Sequence, residues 1–80
     1  MRLSTALKQY GYQTLSEYDT YRRCYVIEAY ESEDDGEPSY ILKKQKDGDY
    51  DVHDINKGYL GNVKNGSDGE SLFKLIEKAK

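Results

Sequence analysis

Eighty residues with a formal charge of −3 and a mean hydropathy of −0.98 describe one small, polar domain. A chain this short buries a limited share of its surface, which argues against a large enclosed active site and leaves stability marginal. The single cysteine, Cys24, excludes an internal disulfide, and no stretch reaches the roughly 20 apolar residues of a membrane span.

Leu3, Leu7 and Tyr10 recur at helical spacing, which predicts an N-terminal helix capped by Ser4 and stopped at Gly11. Thr14-Leu15-Ser16-Glu17 matches a capping box. It predicts a second short helix with Leu15, Tyr18 and Tyr21 or Arg22 on one stripe, separate from the first or fused to it through a bend. From Arg23 the period changes. Cys24-Tyr25-Val26-Ile27-Glu28-Ala29-Tyr30 is rich in β-branched and aromatic residues and reads as a strand. Ser39 to Lys46 reads as a second strand and Tyr50 to Ile55 as a third, joined at Asp47-Gly48.

A two-residue turn there would set Lys46 against Asp49, Lys44 against Asp51, Tyr40 against Ile55 and Leu42 against His53. The two opposite-charge pairs favour it over a three-residue loop with Leu42 against Asp54, by roughly 0.2–1 kcal/mol each. After Asn56-Lys57-Gly58, Tyr59 to Lys64 fits a short edge strand weakened by Gly61. Ser67-Asp68-Gly69-Glu70 is a second capping-box match, and Glu70 to Lys80 follows as a helix. Its apolar face is Leu72, Phe73, Ile76 and Ala79.

The expected fold is therefore α+β: an N-terminal helix or two short helices, a three- to four-stranded antiparallel meander, and a C-terminal helix. Both helices pack on one face of the sheet, and residues 1–80 form a single domain without repeats. The tyrosines number nine against one Phe and no Trp, so they are expected to supply much of the core's bulk. Two or three left exposed would suit a contact patch, since a tyrosine ring offers wide contact at low entropic cost.

Glu31-Ser32-Glu33-Asp34-Asp35-Gly36-Glu37 holds five carboxylates in seven residues and no cation. Like charges at this density resist burial, so the run is expected as a solvated loop tip closed by Pro38. It sets the chain's charge, because residues 1–30 and 41–80 each carry a net +1.

The chemistry of catalysis is thinly represented. His53 lies between Asp51 and Asp54, but it is the only histidine, and no pocket or oxyanion hole is signalled beside it or Cys24. One Cys and one His cannot build a soft-ligand metal site. Asp47, Asp49 and Asp51 begin a calcium-like spacing, but Val52 and Gly58 stand where such a loop needs Gly and Glu. Gly58-Tyr59-Leu60-Gly61 lacks the lysine of a phosphate loop. No cofactor or metal is expected.

Two binding functions remain. The first is a non-enzymatic protein-binding domain in which Glu31, Glu33, Asp34, Asp35 and Glu37 meet a basic, nucleic-acid-handling surface of a partner, with Tyr30 and Tyr40 as apolar anchors. In size and acidity, and on no particular residue, such a chain resembles small phage or mobile-element proteins that inhibit host enzymes or defences. The second is nucleic-acid binding or regulation by Arg22, Arg23, Lys43, Lys44 and Lys46 with interleaved tyrosines. The N-terminus lacks the apolar core of a secretory signal, so a cytoplasmic protein is expected, as a monomer or as a homodimer paired through an exposed strand edge.

Overall fold

The structure, a computed structural model, describes residues 2–32, 34, 36–64 and 69–79. Helix α1 spans Leu3–Gln9 and buries Leu3, Ala6 and Leu7, positions that share one helical face. Its cap residue is Arg2, which makes no side-chain capping bond, so Ser4 lies inside the first turn and is not the cap its residue type suggests. The helix ends before Gly11, and the Tyr12 amide then donates to the Leu7 carbonyl at 3.0 Å, turning the chain under the helix.

The second helix is not formed. Strand β1, Gln13–Asp19, occupies that stretch and pairs antiparallel along its whole length with β2, Cys24–Tyr30. A four-residue capping motif satisfies a few donors, whereas the ladder with β2 satisfies a whole edge of the strand, so pairing wins. The hairpin is hard to read because its turn carries no glycine. Asp19 Oδ1 accepts from the Tyr21 and Arg22 amides at 2.9 and 3.1 Å, and Arg22 adds an ion pair to Asp19 at 3.3 Å. Arg23 takes the left-handed φ of 58° where glycine is usual.

Strands β3, Tyr40–Lys44, and β4, Tyr50–Asp54, also pair antiparallel, but one residue away from the expected register. Lys44 faces Tyr50, Lys43 faces Asp51, Leu42 faces Val52 and Tyr40 faces Asp54. The Gly48 amide returns to Gln45 O at 3.0 Å, Gln45 N donates to Asp49 O at 2.7 Å, and Gly48 has φ 92°. This is a three-residue loop ending in a left-handed glycine, the geometry of a G1 bulge. The physical reason is burial. A one-residue slip would turn β4 over, exchanging Val52, which is fully buried, for His53. Surface ion pairs worth a few tenths of a kcal/mol do not outweigh a buried valine, about 1.5–3 kcal/mol.

Strand β5, Gly58–Val63, pairs with β4 through an irregularity at Val52/His53 and lies on the sheet edge, as the sequence suggests. Helix α2, Glu70–Ala79, buries Leu72 and Ile76. The expected cap at Ser67 and Asp68 falls outside the described residues. The fold is α+β, with an open antiparallel sheet in the order β1-β2-β3-β4-β5, one strand more than the upper expectation.

Helix α1 packs on β1 and α2 on β5, over the same face of the sheet. Alternate residues of each strand point to that face. One transverse row, Ser16–Ile27–Leu42–Val52–Gly61, runs beneath the helices, and Leu42 and Val52 in it are wholly buried. The core is aliphatic, not tyrosine-built. Only Tyr12 and Tyr40 are buried among the tyrosines, while Tyr10, Tyr18, Tyr21, Tyr25 and Tyr59 are exposed. Leu, Ile, Val and Ala side chains fill the space between helices and sheet without a hydroxyl that needs a partner.

Candidate functional site

The two ends of the sheet differ in charge. Strand β2 runs from Cys24 to Tyr30 and β3 returns from Tyr40 to Lys44. The acidic run therefore follows from one end, and Arg23, Lys44 and Lys46 lie at the other, where the turns also carry Asp19, Asp47 and Asp49. A seven-residue strand separates the two ends by about 20 Å. That is more than twice the roughly 8 Å over which physiological salt screens exposed charges.

At the acidic end, the Ser39 amide donates to Ala29 O at 2.7 Å and closes the base of the loop. Glu31, Asp34 and Glu37 are exposed, and none has a cation within ion-pair distance among the described residues. Glu33 and Asp35 lie outside the described residues. The two anchors are placed unequally. Tyr30 is half-buried, and its hydroxyl donates to the Glu28 carboxylate at 3.0 Å, a bond that holds the phenol's pKa above its ordinary value.

Tyr40 is not an exposed anchor. Its strand position puts it on the helix-covered face opposite Ala29, where it is 6% exposed with the Tyr12 ring edge-on at 5.7 Å. The small Ala29 side chain makes room for the ring there. Burial pushes the Tyr40 phenol up as well.

At the opposite end, a second transverse row crosses the inner face beyond the helices. Tyr18 faces Tyr25 across β1 and β2, Lys44 is the neighbour of Tyr25 on β3, and Tyr50 faces Lys44 from β4. Helix α1 begins at Leu3 and does not cover this row. The result is a cleft of about 550 Å³ bounded by Arg2, Ser4, Ser16, Tyr25, Lys44 and Tyr50. A shallower groove of about 220 Å³ adjoins it through Tyr25 and Lys44 and adds Tyr18, Arg23 and Lys46.

Among the described residues, four cations and no carboxylate line the two recesses, in a chain with more acids than bases. Tyr18 and Tyr25 meet edge to face at 5.1 Å and are each about half exposed, at 51% and 55%. The Lys44 ammonium sits 5.8 Å from the Tyr25 ring centre, a cation–π contact. Burial keeps the Tyr50 phenol above its ordinary pKa, so it stays a neutral hydroxyl at physiological pH.

Of the five cations named from the sequence, Arg23, Lys44 and Lys46 line these recesses. Arg22 is bonded to Asp19, and Lys43 points to the far face beside Asp51. Arg2, Ser4, Ser16 and Tyr50 were missed. They lie far apart in sequence, and only the unforeseen β1–β2 hairpin brings Ser16 to the cleft.

Among the described residues no helix lies on the far face. His53 lies there with its ring 5.5 Å from Tyr59, and partial burial, then Lys43, lower its pKa against the pull of Asp51. Asp51 accepts from Asn62 Nδ2 at 3.0 Å. His53 stands in the row of Ile41 and Glu28, so Cys24 is two strands away and four residues along β2. The two residues that could have formed a nucleophile and base are not brought together. Among the described residues no group of three or more Cys, His, Asp or Glu side chains is arranged to hold a metal ion. No described helix is long and apolar enough to cross a membrane.

Comparisons with family models, with curated proteins and with solved structures return no match to this chain.

Proposed function

We propose that the protein is a non-enzymatic binding domain that docks through its 31–37 loop on a basic, nucleic-acid-handling surface of a protein partner, as an inhibitor of that partner. The observation that carries this reading is the absence of ion pairs at the described carboxylates of the loop. Glu31, Asp34 and Glu37 are exposed with no cation at ion-pair distance among the described residues, and Arg23, Lys44 and Lys46 lie at the other end of the sheet, about 20 Å away. Carboxylates left without internal partners keep their full field for an approaching surface, where complementarity governs the rate and register of docking. Tyr30, half-buried at the foot of the loop, supplies the adjoining apolar contact. A non-enzymatic role accords with the separation of Cys24 from His53. A cytoplasmic setting belongs to the same reading.

The test is affinity capture from nuclease-treated host lysate with two baits, the native chain and a variant with all five loop carboxylates replaced by their amides. A partner held by the native bait, eluted by salt and lost from the variant is the expected result. Equal retention by both baits refutes the loop as the contact.

A further inference from the structure

We propose that the cleft and adjoining groove at the turn end of the sheet form a binding site for single-stranded nucleic acid. Bases would lie on the Tyr25 and Tyr18 rings, and phosphates would meet Arg2, Arg23, Lys44 and Lys46. This site is separate from the acidic loop and does not depend on it.

Three observations converge. Among the described residues the lining holds four cations and no carboxylate, Asp19, Asp47 and Asp49 standing in the adjoining turns outside it. That bias is local, since the whole chain is acidic, and the acidic loop lies more than two screening lengths away. The cations are interleaved with rings: the row across β1 to β4 reads Tyr18, Tyr25, Lys44, Tyr50, and strands are about 4.8 Å apart. The two leading rings are half exposed although they stand on the sheet face that is otherwise the core.

A chain of carboxylates would need only the cations. Half-exposed rings beside them favour a ligand that offers a flat face and an anion at each repeat, which is a polynucleotide with unpaired bases. A duplex keeps its interior bases stacked on one another and so offers no free base face at each repeat. The Ser4 and Ser16 hydroxyls and the neutral Tyr50 hydroxyl supply hydrogen bonds to phosphate or sugar oxygens.

The experiment is fluorescence anisotropy with labelled oligothymidylate and oligouridylate of roughly ten nucleotides, with a duplex and polyglutamate as competitors. If all four cations meet phosphates, affinity falls about 50-fold between about 50 and about 200 mM salt, and replacing Lys44 by Gln makes that dependence shallower by about one phosphate. Tyr25→Leu weakens binding by about 5- to 150-fold for one stacked base, and Tyr25→Phe retains it. Lys46→Gln changes an exposed side chain and Lys44→Gln a half-buried one at the end of its strand, and the two decide the matter if Tyr25→Leu disturbs the strand. Replacing the loop carboxylates by amides leaves oligonucleotide binding intact, which separates this site from the acidic-loop reading. Preference for either oligonucleotide over duplex supports the proposal, and the two arms tell DNA from RNA. No binding at low salt, equal displacement by polyglutamate, or wild-type affinity in both Tyr25→Leu and Lys44→Gln overturns it.

Discussion

At Gly69 the chain entering α2 passes against Ala6 of α1, and replacing that glycine by alanine tests the packing there. Gly69 is buried, has φ 91° and immediately precedes α2, whose Phe73 amide donates to its carbonyl at 3.0 Å. A Cβ added there would lie 2.6 Å from the Cβ of Ala6 on α1, closer than two carbons can sit. Two costs follow: a non-glycine residue in a left-handed conformation, about 1–3 kcal/mol, and overpacking, about 1–3 kcal/mol.

Gly69→Ala should therefore cost about 2–6 kcal/mol, against about 4–12 kcal/mol expected for the stability of an 80-residue domain. The assay is urea unfolding of a double-mutant cycle. Ala6→Gly alone costs about 2 kcal/mol, from helix propensity and one buried methyl group. In the double variant the collision is gone while the backbone strain stays. The coupling energy should then equal the overpacking cost, about 1–3 kcal/mol in the favourable direction. Single effects that add to within about 0.5 kcal/mol would show that the two Cβ positions do not meet, and the placement of α1 against α2 would be wrong.

Two further outcomes follow from the open face. Glu17 has its pKa raised, first by its hydrogen bond to the neighbouring Glu28 carboxylate, so at neutral pH the two charges repel. Glu17→Gln should raise the melting temperature at pH 7, and the gain should vanish in acid, where the native Glu17 is already protonated; a lower melting temperature at pH 7 contradicts the pairing. His53 has its native pKa below the ordinary value, so the unfolded chain takes up the proton first. Stability should fall as pH drops through about 6.5 to the depressed native value, and His53→Gln should flatten that slope. An unchanged slope between pH 7 and 5 in the variant would place His53 in an ordinary aqueous setting.

Much of this architecture can be read from residues that act over short range. β2 is recognisable in Cys24–Tyr30 because β-branched and aromatic residues crowd seven positions, and α2 in Glu70–Ala79 because Leu72 and Ile76 recur one turn apart. Glu31, Asp34 and Glu37 are exposed as the charge density of their run implies, since no local structure can bury so many like charges. Longer-range choices were decided elsewhere. Thr14 to Glu17 carries a helix signal, and only the availability of β2 as a partner makes it a strand. The β3–β4 register follows from which side of β4 the helices cover, a fact absent from Asp47-Gly48 itself. Tyr40 and Tyr25 are the same residue type in similar strands, yet one is 6% and the other 55% exposed, because helix cover stops between their rows. Local propensity and charge density belong to the sequence alone. The burial of a given ring, and the meeting of Arg2 with Lys44 across the cleft, depend on surfaces supplied by distant segments, and only the folded chain brings those together.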